Sequence, residues 1–257
     1  MDLGIRGRCA LVCGASSGIG EAVALALAGE GVKLAVAARR AERLERLAQR
    51  AREAGAEDAR SFTFDLLDAE SIRAMLDRVH DAFGDVDIAV LNGGGPRAGT
   101  FTDLAIEEWD RGYQGVLRSM LTIAQLVVPG MRSNAWGRIV ALTSTSVKQP
   151  IDSLALSNAF RTALVSAMRT LANEVAREGI TVNSIATGRV DTDRLRELYG
   201  NSADAVAKAA ATEVPIGRVA SPAEFAPLVA FLCGEPAKYV TGQTISIDGG
   251  LTRGLFG

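Results

Sequence analysis

The sequence is poor in metal ligands: it holds one histidine, His80, and three cysteines, Cys9, Cys13 and Cys233, in 257 residues. A structural zinc site takes about four clustered Cys or His ligands, so no metal centre is expected. An odd cysteine count leaves no complete disulfide pairing. Cys9 and Cys13 bound the apolar run Cys9-Ala-Leu-Val-Cys13 and are expected to be small core residues in a reducing cytosol. Neither charge is in excess, with 28 Lys+Arg against 30 Asp+Glu and a formal net charge of −2. Nucleic-acid binding usually needs a basic domain or stripe, so that partner is not expected. No uncharged apolar stretch reaches the roughly 18 residues of a membrane span. Met1–Arg8 carries no long apolar run, so no secretory leader is expected. Linkers, repeats and low-complexity tracts are missing too, which points to a single domain over residues 1–257.

What is present is an ordinary globular composition, 48% hydrophobic and 23% charged. A chain of this mass can bury over about 70% of its surface without a metal or disulfide staple. Short apolar runs alternate with amphipathic stretches throughout. The runs are Cys9–Cys13, Val32–Ala38, Ser61–Phe64, Val86–Leu91, Arg138–Leu142, Ile180–Ala186 and Thr244–Ile247. Helical patterns lie near 18–29, 41–54, 68–83, 103–132, 154–178 and 222–233. This alternation predicts an α/β fold, a parallel sheet with helices on both faces. Continuous apolar strands fit a sheet buried on both sides. Gly55, Gly84 and Gly179 stand where helices should end before strands. Ser221-Pro222 should open a helix with a hydroxyl cap and a proline in the first turn. His80 falls late in a helical pattern, where a cation suits the dipole, and should lie at the surface. Segment 188–220 is polar, lacks a clear strand and follows the sixth strand. Ligands in open α/β sheets bind outside the carboxyl ends of strands, so this segment is expected to be an irregular substrate lid.

The first strand runs into Gly14-Ala15-Ser16-Ser17-Gly18-Ile19-Gly20 and then the helical Glu21-Ala22-Val23-Ala24-Leu25. Glycines at such a junction allow a tight turn and let a pyrophosphate approach the helix N-terminus, where free N–H groups and the dipole favour anions. The spacing is G-x-x-x-G-x-G, not the better-known G-x-G-x-x-G. A tight strand-to-helix crossover is the bland alternative.

With these residues the chain resembles the short-chain dehydrogenase/reductase family over nearly its whole length. The resemblance extends to Asn92-Gly93-Gly94-Gly95, to Gly137–Ser144, to Gly179–Gly188, to Tyr239-Val240-Thr241-Gly242-Gln243 and to Asp248-Gly249-Gly250. It implies a Rossmann-like, doubly wound, seven-stranded parallel sheet and a nicotinamide dinucleotide coenzyme. Within the family the chain is similar to the 3-oxoacyl-acyl-carrier-protein reductase type. The implied coenzyme residues are Gly14, Ser16, Ser17, Gly18, Ile19 and Gly20 at the turn, Asp65 and Leu66 at the adenine, and Asn92 and Gly93 at its ribose. Val190 and Thr192 are implied near the carboxamide and pyrophosphate. The second strand ends Ala38-Arg39-Arg40. An acidic residue there would bind the ribose hydroxyls of NAD, whereas arginine accommodates the 2′-phosphate of NADP. NADP(H) is therefore expected, with NAD(H) second; the alternative is that Arg39, Arg40 and Arg43 only begin a solvated helix.

The catalytic place departs from the family. There a serine holds the substrate oxygen, a tyrosine four residues before a lysine moves the proton, and an asparagine on the preceding helix supports a relay. Ser144 matches the serine. Spacing from Ser144 and from Asn183 puts Ser157 at the tyrosine place and Arg161 at the lysine place, where Arg161 could still bind the ribose. Val116, with Gln114 nearby, stands where the asparagine is expected, and Thr187 replaces a proline. A serine hydroxyl is a far weaker acid than a phenol, and arginine stays protonated. Losing a positioned general acid costs about 10²–10⁴ in rate.

Three readings follow. In the first the chain is an NADP(H)-dependent oxidoreductase acting on a small carbonyl or alcohol substrate. Ser144 polarises the carbonyl, Ser157 holds a water, Arg161 lends its charge, and Lys148 or Tyr113 is a candidate acid. In the second it is a non-catalytic NADP(H)-binding sensor or scaffold. In the third the fold hosts another reaction, such as elimination or dehalogenation. Arg161 could also recognise an acidic substrate. Asp191 and Asp193 are expected to face solvent. Leu164, Val165, Met168 and Leu171 are expected in the core or in helix packing. By resemblance the chain is a cytoplasmic homotetramer or homodimer, and the apolar Leu251–Gly257 could cover a neighbouring subunit's site.

Overall fold

The computed structural model describes residues 1–255. Its framework begins with β1 (Cys9–Cys13), α1 (Gly18–Ala28), β2 (Lys33–Ala38), α2 (Ala41–Glu53), β3 (Asp58–Thr63), α3 (Ala69–Phe83) and β4 (Ile88–Leu91). It continues with α4 (Ile106–Gly112), α5 (Ser119–Ser133), β5 (Gly137–Leu142), α6 (Ala155–Val175) and β6 (Ile180–Thr187). The last elements are α7 (Asp193–Leu198), α8 (Ala203–Glu213), α9 (Pro222–Leu232) and β7 (Thr244–Ile247). The seven strands form one sheet in the order β3-β2-β1-β4-β5-β6-β7, and every pair is parallel. This is the Rossmann-like doubly wound arrangement.

Side chains alternate across a strand, and β1 shows what that does here. Ala10 and Val12 join the core under α1, α2 and α9, with Leu27, Leu44 and Phe225. Leu11 and Cys13 join the opposite core under α3, α5 and α6, with Met75, Ile123 and Leu164. A strand buried on both faces must be apolar at every position, which is why its run is continuous. All three cysteines are buried and unpaired. His80 is exposed, with its Nδ1 3.3 Å from an Asp85 oxygen. Leu164 and Met168 are buried and Leu171 packs against the same core.

Three expectations are corrected. The third strand is Asp58–Thr63, not Ser61–Phe64. It is an edge strand whose only neighbour is β2, so the ladder Lys33↔Asp58 to Ala38↔Thr63 sets its limits rather than its apolar residues. The run 103–132 is not one helix: α4 stops at Gly112, Tyr113–Arg118 is π-helical, and α5 follows. At Gly112 a Cβ would stand 2.9 Å from the Phe160 ring, so α6 packs closely against the chain where the winding changes. Segment 188–220 is not irregular, because it contains α7 and α8. Thr192 and Ser202 cap these short helices through their side chains, a polar start signal that apolar periodicity does not carry. Ser221 opens α9 with the expected capping box and Pro222. Phe256 and Gly257, the end of the apolar tail, lie outside the described residues.

β1 borders β2 on one side and β4 on the other, so the chain's winding reverses between β1 and β4. A crevice opens at the carboxyl ends of strands at such a reversal, and the site lies there.

Candidate active site

A cleft of about 740 Å³ runs along the carboxyl ends of the strands. Gly14, Ser16, Ser17, Gly18, Ile19, Arg39, Arg40, Asp65, Leu66, Asn92 and Gly93 line it. So do Ser144, Ser157, Arg161, Val190 and Thr192. The sequence placed these residues in one site, and the fold brings them together.

At one end, β1 turns into α1. Gly14 and Gly18 both have φ of +60°, the left-handed region that suits glycine. Ser17 is the N-cap of α1, but its side chain makes no capping bond. The first N–H groups of α1 therefore have no side-chain acceptor, and an anion fits that place. Gly20 is buried and is not among the residues that line the cleft. A Cβ there would stand 2.4 Å from the Gly14 carbonyl oxygen, so its role is to let the turn close. The Asn92 amide donates to the same oxygen over 3.4 Å and joins the end of β4 to the turn.

Arg39 and Arg40 follow β2. Arg40 donates to Ser16 Oγ at 2.8 and 3.1 Å and to Ser17 Oγ at 2.7 Å. Arg39 is exposed at the cleft edge, with no side-chain bond among the described residues. Asp65 accepts from Leu67 N at 3.0 Å. Thr192 Oγ1 accepts from Leu195 N at 3.2 Å and caps α7. These residues form a glycine turn with free N–H groups, an open guanidinium, a carboxylate and an amide, in strand order. That set fits a phosphorylated dinucleotide.

At the other end, β5 leads to Ser144. Its Oγ accepts from Ser146 N at 3.1 Å, and Ser146 Oγ lies 3.2 Å from the buried Ser157 Oγ. Ser157 and Arg161 share a face of α6 because they are one turn apart. Arg161 Nη1 donates to the Leu142 carbonyl oxygen at 3.0 Å. Burial pushes the Arg161 pKa down to about 10, and the Arg194 charge adds to that shift. Arg161 remains a cation at neutral pH.

The two other candidate acids are not here. Lys148 ends the short 3₁₀ turn Thr145–Val147 outside the cleft. Tyr113 is half-exposed and packs against Phe160, their rings 6.3 Å apart. Gln114 faces a separate small hollow beside Arg118, while Val116 is buried and lines the cleft. Among the described residues no Tyr, Lys, His or Cys lines the cleft. Arg97, Glu108, Arg111 and Arg194 line it although the sequence did not single them out. They sit after β4, on α4 and on α7, and no local motif marks them. Asp191 pairs with Arg196; Asp193 is exposed, as expected, but also forms part of the rim.

A family profile described as enoyl-(acyl-carrier-protein) reductase matches residues 14–252. The 3-oxoacyl-(acyl-carrier-protein) reductase FabG of Vibrio cholerae is 33% identical over 249 residues, covering 97% of this chain and 99% of the relative. A putative ketoacyl reductase of Streptomyces coelicolor is 37% identical over 253 residues, covering 94% and 96%. Among solved structures, L-sorbose reductase from Gluconobacter frateurii, complexed with NADPH and L-sorbose, superposes with a TM-score of 0.93 at 32% identity, over 99% of this chain and 100% of that one. A variant of actinorhodin polyketide ketoreductase with NADPH gives a TM-score of 0.90 at 35% identity, over 96% and 98%.

Proposed function

The chain belongs to the short-chain dehydrogenase/reductase family, and from that premise we propose that it is an NADP(H)-dependent oxidoreductase acting on a carbonyl or alcohol with an altered proton path. The observation that carries this reading is the single cleft that joins the uncapped start of α1 to Ser144. Ser16, Ser17, Gly18 and Ile19 hold the pyrophosphate. Arg39 takes the 2′-phosphate, so NADP(H) comes first and NAD(H) second. Asp65 and Leu66 face the adenine, Asn92 and Gly93 its ribose, and Val190 and Thr192 the carboxamide end. The coenzyme, when bound, supplies or accepts the hydride.

Ser144 donates a hydrogen bond to the substrate oxygen. Ser157, held by Ser146, is too weak an acid to replace a phenol, so it positions a water that carries the proton. Arg161 cannot release its proton and acts by charge alone. α7 closes over the substrate end as a lid. The buried unpaired thiols fit a cytoplasmic setting, and the family fits a homodimer or homotetramer. No helix among the described residues is long and apolar enough to cross a membrane.

The test is a calorimetric titration with NADPH, NADH and their oxidised forms, followed by absorbance assays over carbonyls and alcohols. NADPH binding with turnover supports the reading; failure to bind any coenzyme overturns it. Tight NADPH binding without hydride transfer supports a second reading, a non-catalytic NADP(H) sensor or scaffold. The absence of Tyr, Lys, His and Cys from the described cleft lining favours that second reading.

A further inference from the structure

The walls of the cleft are unbalanced in charge. Six guanidinium groups line it, from Arg39, Arg40, Arg97, Arg111, Arg161 and Arg194, against only three carboxylates, from Asp65, Glu108 and Asp193. Each carboxylate is engaged away from Arg161. Glu108 pairs with Arg97. Asp193 has its nearest cation in Arg43 at 4.0 Å. Asp65 accepts a backbone N–H.

Arg161 is the residue this leaves exposed to imbalance. Its guanidinium has five N–H donors. Among the described residues its side chain has one acceptor, the Leu142 carbonyl oxygen, and no carboxylate within ion-pair distance. Arg161 is half-buried in the wall of the cleft, and a charge partly withdrawn from water without a counter-charge favours a partner from outside the chain.

Arg194 stands near the same end. It donates to the Pro96 carbonyl oxygen at 2.6 Å and reaches Glu197 at 3.6 Å, on the exposed side of its own helix. Its Nε would lie 2.6 Å from a Cβ at Gly95, so the side chain lies flat across the glycine run after β4. β4 and β5 are neighbours. Arg194 therefore crosses the end of one strand while Arg161 binds at the end of the next. The electrostatic effect of Arg194 on Arg161 is repulsive. Two cations held in one cleft without an acid between them are stabilised by an anion that both can reach. A guanidinium binds a carboxylate through two parallel hydrogen bonds, a geometry that neutral hydroxyls do not match.

We propose that Arg161 and Arg194 form a carboxylate subsite, and that the substrate is an oxo or hydroxy acid carried into the cleft as its anion beside Ser144. This inference rests on the oxidoreductase reading and names its substrate class. Arg161 is then a specificity residue, and its replacement of lysine is a gain of carboxylate recognition.

The competing source of an anion is the coenzyme itself, and the experiment separates the two. Benzoylformate and levulinate are compared with their methyl esters by calorimetry, on the free protein and on its NADPH complex. The expected result is that each acid binds at least about tenfold more tightly than its ester, as one or two charge-assisted bonds predict. Arg194→Gln and Arg161→Gln should each erase most of that preference. In Arg194→Gln the NADPH affinity should change less than about threefold. Thermal melts confirm that both variants are folded, and Arg194, at the half-exposed rim, supplies the variant least disturbing to the fold. Equal binding of acids and esters, or binding of neither, overturns the subsite. A loss of NADPH affinity in both variants that matches the loss of acid affinity also overturns it, since the cations then serve the coenzyme. If NADPH itself fails to bind, the oxidoreductase reading falls, while the acid–ester comparison on the free protein still decides the subsite.

Discussion

Arg40 donates two hydrogen bonds to Ser16 Oγ, at 2.8 and 3.1 Å, and so ties the end of β2 to the turn that opens α1. The adjacent guanidinium of Arg39 makes no such tie and stays exposed at the cleft edge. Neighbouring arginines thus have different work. Arg40 shapes the turn, and the Arg39 guanidinium stays free at the cleft edge, where the proposed reading places the 2′-phosphate.

Arg39→Ala is expected to weaken NADPH binding about 10- to 100-fold, the loss of one or two charge-assisted bonds, and to leave NADH nearly unchanged. Arg40→Ala should weaken both coenzymes alike, because it loosens Ser16 and Ser17. Parallel calorimetric titrations separate the two effects. Equal loss of NADPH and NADH in Arg39→Ala would remove that residue from 2′-phosphate recognition.

Gly20→Ala should destabilise the protein by about 1–3 kcal/mol, the usual cost of forcing atoms into a packed site. The added Cβ would stand 2.4 Å from the Gly14 carbonyl oxygen and 2.8 Å from Asn92 Nδ2, so the turn must move. A thermal melt should show a fall of roughly 2–4 °C per kcal/mol for a chain of this size. Coenzyme affinity should fall with it. A variant that melts and binds like the parent would show that the turn has slack.

Ser157→Tyr combined with Arg161→Lys is expected to raise carbonyl reduction by about 10²–10⁴, the worth of a positioned general acid. Steady-state assays on a neutral ketone measure it. No gain in the folded double variant would mean that the proton path runs elsewhere.

The buried thiols predict a loss of stability in alkali. Burial pushes the Cys13 and Cys233 pKa values up to about 12. Burial, with Asp87 next in effect, does the same at Cys9. In the unfolded chain thiols ionise near about 8.5. Between about pH 8.5 and 12 the folded state holds more protons, so stability is full below that window and falls through it. Melts at pH 8 and pH 10 should show a smaller drop for Cys13→Ala than for the parent. An equal drop would remove the thiol from the pH dependence.

The elements could be read locally wherever local chemistry decides them. β1, which has both faces buried, is apolar at every position from Cys9 to Cys13, and its limits follow from the sequence. Ser221, Pro222 and Glu224 form a cap whose parts are adjacent. β3 resisted because β2 sets its pairing. The π-helical Tyr113–Arg118 resisted because no local motif marks the change of winding, which falls where Phe160, distant in the chain, packs against Gly112.

The order of residues alone carried the fold class and the glycine turn, and its resemblance to the family carried the preference for a phosphorylated coenzyme and the reading of Ser157 and Arg161 at the proton-moving places. The fold class and the turn rest on short-range spacing, where side-chain period and backbone freedom act within a few residues. Only the folded chain decided that Gly20 packs against the Gly14 carbonyl and that Tyr113 and Lys148 stay outside the cleft lining. It also decided that Arg194 and Arg161 line one cleft and that no carboxylate pairs with Arg161 among the described residues. Those outcomes depend on which strands lie side by side, and charges feel their neighbours in space without regard to their place along the chain.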